Sequence, residues 1–219
     1  MIKAIIFDMD GVIIDSEPIH KQVEKSIFER LDIEVSEEEH NSYVGKTSMG
    51  MWNEIKIKHN LGEDILAKEI VRLEVDRYIK HLLASEDIKP ISGVKEFVNE
   101  LYINNIKLAL ASSAVRRSIE TVINLFELEE YFAIRISGED IKNSKPCPDI
   151  FLEAAKELGV NPIECVVIED SRNGVIAAKA AGMKCIGFKN PNSGDQDLSR
   201  ADRVIDCFSQ IDYKKIIEM

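Results

Sequence analysis

The chain has no apolar run approaching the roughly 20 residues that span a bilayer. It also does not open on a basic stretch, an apolar stretch and a small-residue cleavage site. The expectation is a cytoplasmic protein with neither a secretory leader nor a membrane segment. Lysine and arginine form no block, and 28 basic residues against 39 acidic ones leave a formal net charge of −11. That balance argues against general binding to nucleic acid or to an anionic membrane. An anionic substrate would have to be met by local positive groups or by a metal. Cysteine is scarce and unpaired: Cys147, Cys165, Cys185 and Cys207 include no CxxC spacing. Cys165 and Cys185 each open an apolar run and read as small buried hydrophobes, so neither a zinc cluster nor a disulfide framework is expected. There is no internal repeat and no low-complexity stretch.

What is present is concentrated near the start. Residues 3–12 read Lys-Ala-Ile-Ile-Phe-Asp-Met-Asp-Gly-Val. A short apolar run closed by glycine is the pattern of a strand buried on both faces, as in a parallel sheet. Side chains alternate along a strand, so Asp8 and Asp10 leave on the same side, about 6–7 Å apart, while Met9 points the other way. The Met9 carbonyl is expected to stay beside them. Two like charges at a buried strand end repel and lose hydration, which folding alone does not reward. A hard divalent cation or a proton-transfer role would explain the pair.

After this strand the pattern becomes helical. Ser16 is the expected N-cap of a helix with Pro18 in its first turn. Apolar residues then recur at helical spacing to about Ser85, through Ile19, Val23, Ile27 and Leu31 and again through Ile65, Ile70, Leu73 and Leu82. About 70 helical residues are too many for an ordinary crossover. From Pro90 onward strands and helices alternate: strands at 106–111, 133–137, 165–168, 184–188 and 203–205, helices at 94–104, 116–126, 150–158 and 173–181. The last of these helices is expected to end on Gly182. The fold expected is α/β, a doubly wound Rossmann-like parallel sheet formed by residues 1–15 and 86–219, with an all-helical cap inserted over residues 16–85.

In such a sheet, sites lie at the carboxyl ends of the strands. Three strands end there in polar residues: Asp8 and Asp10, Ser112 and Ser113, and Glu169 and Asp170. Lys145 is expected to begin a helix nearby. Carboxylates from two strand ends plus a main-chain carbonyl make an all-oxygen set suited to magnesium. A serine, adjacent N–H groups and an ammonium can hold the oxygens of a phosphate. One carboxylate remains as a nucleophile and its neighbour as acid and base.

With these residues in order, the chain resembles the haloacid dehalogenase superfamily phosphatases, in the branch of beta-phosphoglucomutase and sugar phosphatases that carries a helical cap. The resemblance spans essentially the whole chain. It rests on Phe7-Asp8-Met9-Asp10-Gly11-Val12, on Ser112, on Lys145-Pro146 and on Ile168-Glu169-Asp170-Ser171. It implies that Asp8 attacks phosphorus to give an aspartyl-phosphate, and that Asp10 protonates the leaving oxygen and then deprotonates water. It implies Mg2+ held by Asp8, the Asp10 carbonyl and Asp170, with Glu169 a further ligand or a supporting group. Ser112, Ser113 and Lys145 would bind phosphate. General-acid work calls for a raised Asp10 pKa, which closure from water would supply.

The resemblance also places His20 one turn into the first cap helix, facing the cleft and touching Asp10. It makes Val44-Gly45-Lys46-Thr47-Ser48-Met49 a substrate-specificity loop with Lys46 as its cation. Arg116 would sit at the substrate's edge, and Trp52 is either core or a sugar-stacking surface. The function expected is a magnesium-dependent phosphatase, a monomer acting on a small phosphorylated metabolite of sugar-phosphate type. The alternative within the branch is a phosphomutase, which needs paired basic groups for a second phosphate. Val44 and Ser48 stand where beta-phosphoglucomutase has such groups. A receiver-type signalling module also clusters acids, Ser/Thr and Lys, but has no helical insert after its first strand.

Overall fold

The computed structural model describes residues 1–43 and 46–219. The first strand, β1 (Ala4–Phe7), lies in the middle of a six-stranded, wholly parallel sheet. Its neighbours are β2 (Lys107–Ser112) and β4 (Cys165–Glu169), with β3 (Ile134–Ser137) outside β2. β5 (Lys184–Phe188) and β6 (Arg203–Ile205) complete the other side, giving the order β3-β2-β1-β4-β5-β6. The order reverses at β1, so the connections diverge beside it and leave a crevice at its carboxyl end. Phe7 pairs with Leu110 on one side and Ile168 on the other, which sets the three strand ends level.

Alternation along the strands builds two cores. Ile5, Phe7, Leu110 and Ile168 face α5 (Val94–Ile103) and α6 (Arg116–Leu125). Ala4, Ile6, Ala111 and Val167 face α7 (Asp149–Leu158) and α8 (Arg172–Ala180). A short α9 (Tyr213–Ile217) closes the first face. Cys165 and Cys185 are buried and all four cysteines are free thiols, as their apolar settings predict.

Between β1 and α5 come α1 (Glu17–Leu31), α2 (Glu37–Asn41), α3 (Ser48–Lys58) and α4 (Ala67–Ala84), with no strand among the described residues. Their apolar stripes meet around Trp52, which is fully buried against Phe28 and donates its indole N–H to Glu74 at 2.6 Å. Trp52 is therefore core. The two connections to this helical segment run side by side: Ile14 bridges to Pro90, and the Ile91 N–H donates to the Ile13 carbonyl at 2.9 Å.

Local sequence signals were read closely but not always to the residue. Ser16 holds the N-cap position of α1, yet its side chain makes no capping bond and is directed to Asp10 instead. The helix after Lys145 starts only at Asp149, so Lys145 lies in the preceding turn. Gly182, at φ 75°, follows the α8 cap residue Ala181 and reverses the chain into β5.

Candidate active site

Asp8 follows Phe7 at the end of β1, and its N–H still donates to the Ile168 carbonyl at 3.0 Å. Lys145 reaches in from the turn before α7. Its ammonium donates to Asp8 Oδ1 and to Glu169 Oε1, both at 2.6 Å, and to the Ala111 carbonyl at 3.4 Å. The Lys145 side chain is 1% exposed, and its Nζ sits 4.9 Å from the centre of the Phe151 ring. Burial alone would lower the lysine's pKa, but the Asp8 and Glu169 carboxylates raise it well above its ordinary value. A lysine so placed is a fixed cation.

Asp170 lies beside this pair, its Oδ2 accepting from the Ser193 hydroxyl. Burial, then the charges of Glu169 and Asp8, push Asp170 well above the ordinary carboxylate range. Burial does the same to Asp8, with Glu169 and Asp10 adding and Lys145 opposing. Asp8, Glu169 and Asp170 present ligand oxygens within 4.8 Å of one another. Three carboxylates against one ammonium leave a buried negative excess made only of oxygen donors, and this fits a hard divalent cation. Gly11 is shaped to the same cluster. At φ 74° it closes the loop after β1, and a Cβ there would lie 1.9 Å from Asp170 Oδ2.

Glu169 is more fully engaged. Its Oε1 holds Lys145, and its Oε2 accepts from the Ser171 N–H at 2.7 Å and the Ser171 hydroxyl at 2.9 Å. Those bonds favour a role in anchoring Lys145 over direct ligation. The Met9 carbonyl is also occupied, accepting from the N–H groups of Val12, Ile13 and Ile14. These bonds close the loop after β1. Met9 itself is fully buried in the core.

Asp10 faces the helical segment. The Ser16 hydroxyl donates to its Oδ1 at 2.5 Å, His20 Nε2 lies 3.5 Å from the same oxygen, and the Ser112 hydroxyl reaches Oδ2 at 3.5 Å. Burial would raise the Asp10 pKa, but the His20 and Ser16 hydrogen bonds, the His20 charge and Lys145 together hold it below the ordinary value. This reverses the expected raised pKa. Burial would lower His20, yet Asp10, Glu24 and Glu74 raise it to about 10. The opposite shifts make the two an ion pair, the Asp10 carboxylate facing a His20 imidazolium.

Ser112 is buried, its Oγ accepting from the Ala114 N–H at 3.0 Å, and Ser113 lines the cleft between sheet and helices. Lys46 also lines the cleft, but its ammonium is bound to both oxygens of Glu54 at 2.8 Å. Arg116 is a correction. It is about half exposed, pairs with Asp140 and donates to the Arg135 carbonyl at 3.4 Å, outside the cleft lining. Its charge is met there by Asp140, with Glu120 at 4.0 Å. Of the expected specificity loop, Val44 and Gly45 lie outside the described residues, and Ser48 donates to Glu74 at 3.2 Å.

Sequence reasoning missed Glu74, Tyr78, Ser193 and Asn190. Asn190 donates to the Gly11 carbonyl at 3.2 Å and to Asp15 at 3.3 Å, and Asn192 donates to the other Asp15 oxygen at 2.5 Å. The segment after β5 thus fastens both the Gly11 loop and the connection into α1. Glu24 was missed as well; it stands one helical turn beyond His20, and Glu74 stands one turn from Ile70 and Tyr78 on the buried face of α4, spacings that could have marked both.

Comparison with known proteins identifies the family. The family model described as haloacid dehalogenase-like hydrolase matches residues 5–188. Hexitol phosphatase B of Escherichia coli is 30% identical over 217 residues, covering 99% of this chain and 97% of that protein. The crystal structure of beta-phosphoglucomutase from Clostridium difficile superposes with a TM-score of 0.85 at 30% identity, covering 100% of this chain and 96% of that one. CbbY from Rhodobacter sphaeroides, solved in complex with xylulose-(1,5)bisphosphate, gives a TM-score of 0.85 at 27% identity, with 96% of each chain covered. The chain is an enzyme belonging to the haloacid dehalogenase-like hydrolase family.

Proposed function

We propose that the protein is a magnesium-dependent phosphatase of a small phosphorylated metabolite, of sugar-phosphate type, working through an aspartyl-phosphate on Asp8. The observation that carries this reading is the buried ammonium of Lys145 bridging Asp8 and Glu169 at 2.6 Å each, beside Asp170. Lys145 fixes the plane of the Asp8 carboxylate and sets a cation where phosphate oxygens would lie. Mg2+ would be held by Asp8, the Asp10 carbonyl and Asp170, and when bound it offsets negative charge on the phosphoryl oxygens. Glu169 keeps Lys145 in place. Ser112 and Ser113, at the end of β2, supply hydrogen bonds to the phosphate.

Asp8 attacks phosphorus as the ester oxygen leaves, and that oxygen takes a proton from Asp10. The Asp10–His20 pair holds this proton mainly on His20. A phosphate dianion entering beside Asp10 raises the carboxylate's affinity for it, so His20 can return it to Asp10. Asp10, once deprotonated, takes a proton from the water that attacks the aspartyl-phosphate, releasing inorganic phosphate and restoring Asp8. Positioning and charge compensation supply most of the acceleration in such transfers. Residues 16–85 serve as a cap that closes over the strand ends and keeps water out.

The relation to beta-phosphoglucomutase makes phosphomutase the second reading. Steady phosphate release from sugar monophosphates, measured beside bisphosphate-primed isomerisation, separates the two. Isomerisation without net release would overturn the phosphatase. Asp8→Asn is expected to lower phosphate release at least about a thousandfold. Undiminished turnover in that variant would remove the nucleophile assignment.

A further inference from the structure

The cleft above Asp8 and Asp10 is roofed by α1, α3 and α4, and encloses about 100 Å³. Its roof is acidic. Glu17, Glu24 and Glu74 all line it, and each is buried, with 8%, 5% and 2% of its surface exposed. Among the described residues no arginine lines the cleft. Of the two cationic residues that do, Lys46 is matched by Glu54, and His20 is held between Asp10 at 3.5 Å and Glu74 at 4.0 Å. The Glu24 carboxylate meets His40 through Oε2.

A second observation points to a ligand. Tyr78 lines the same cleft, is 1% exposed, and its hydroxyl has no hydrogen-bond partner. Ser16 is the neighbour of that hydroxyl; it gives its own proton to Asp10, and its oxygen does not meet the phenol in hydrogen-bond geometry. The Tyr78 ring is stacked on His20 with centres 4.4 Å apart, which fixes where the hydroxyl lies. A buried phenol with no partner costs stability that a ligand hydroxyl would restore. Carboxyl oxygens are mainly acceptors, so these side chains favour a ligand rich in O–H donors, and in their ionised form they oppose one carrying further negative charge.

We propose that Glu24, Glu74 and Tyr78 form a subsite for the uncharged, hydroxylated tail of a monophosphate, and that this subsite rejects a second phosphate. The assignment rests on the phosphatase reading and goes further, because it separates polyol monophosphates from the bisphosphates that a relative such as CbbY is seen to bind. Crowding by burial and by the Glu24 charge already pushes Glu74 up to about 7. A phosphate placed there would meet acids that are themselves short of compensation.

The test uses the magnesium-loaded protein with a glucitol monophosphate, the matching bisphosphate and p-nitrophenyl phosphate, which has no hydroxylated tail. The monophosphate is expected to exceed the bisphosphate in kcat/KM by at least about a hundredfold. Glu24→Gln and Glu74→Gln, which remove charge but keep shape, should each narrow that gap about tenfold. Tyr78→Phe should lower the ratio of kcat/KM for glucitol monophosphate over p-nitrophenyl phosphate about tenfold, mainly through KM. A bisphosphate turned over as well as the monophosphate overturns the subsite. So do variants that shift all three substrates alike, as a merely structural role would. Calorimetric binding of the two glucitol phosphates to Asp8→Asn reads the subsite without turnover. Preferential monophosphate binding there supports the subsite even if no phosphate is ever released, a result that would sink only the phosphatase reading.

Discussion

Lys145 shows how much one side chain can be made to carry. Its ammonium is buried between Asp8 and Glu169, so removing it leaves two buried carboxylates with no ammonium between them. Breaking a buried pair in this way costs about 3–5 kcal/mol, partly recovered where the acids take up protons. Lys145→Met should therefore destabilise the metal-free protein by about that amount in urea titrations at neutral pH, and by less at pH 5. A variant as stable as the wild type at neutral pH would mean that Lys145 is not the main compensating charge. Residue chemistry was largely legible here, because acids at strand ends and a lysine beside prolines are unusual enough to stand out. Bond direction was not. Ser16 has the composition of a helix cap, but its side chain is turned so that the hydroxyl donates to the Asp10 carboxylate, a charge-assisted bond, and its oxygen accepts from no N–H of α1. Arg116 went the same way, taken by Asp140 rather than by the cleft.

At the scale of elements, α1 and α2 are joined by an ion pair that ought to respond to pH. His40 Nε2 meets Glu24 Oε2, with only 12% of the His40 side chain and 6% of the Glu24 side chain exposed. Burial opposes protonation, but the Glu24 hydrogen bond and charge, helped by Glu17, raise the His40 pKa above its ordinary 6.5. Because the folded value lies above the unfolded one, the stabilisation is full below about pH 6.5 and is lost as pH rises through the folded value. The stability difference between wild type and His40→Gln should thus be largest at pH 6 and shrink towards pH 9, by chemical denaturation. A difference independent of pH would show that packing against Phe28, not charge, is what His40 supplies. Helix existence was readable from apolar spacing, and four helices do lie between β1 and α5. Its acidic inner face was not readable. Glu74 is 50 residues beyond Glu24 in number, and although it stands one turn from both Ile70 and Tyr78 on the apolar stripe of α4, spacing alone does not say which helices that stripe meets. Only the packing of α4 on α1 and α3, with Trp52 donating to Glu74, turns that side chain inward.

For the whole molecule, the sheet order decides where charge collects. β1 lies between β2 and β4, so the strand that carries Asp8 and the strand that carries Glu169 and Asp170 end side by side. Folding therefore gathers three acids around one lysine, and Asp8 and Asp170 are raised well above the carboxylate range. A carboxylate whose folded pKa exceeds its unfolded one destabilises the fold increasingly as pH rises from about 4 through the folded value. The metal-free protein should then be least compensated at neutral pH, where Mg2+ has most to offset. At 100 times its dissociation constant a ligand of the folded state adds about 2.7 kcal/mol. For a chain of this size that is a rise in Tm of about 5–10 °C. Asp170→Asn removes one of the crowded charges, so it should raise the metal-free Tm while cutting most of the magnesium increment. Gly11→Ala should cut the increment as well, since its Cβ would displace the Asp170 carboxylate, but without the gain in the metal-free state. Scanning calorimetry of the three proteins with and without Mg2+ distinguishes these outcomes. An Asp170→Asn protein that melts lower without metal yet keeps the full magnesium shift would place the ion away from this cluster. It would also leave the level strand ends without the electrostatic role assigned to them.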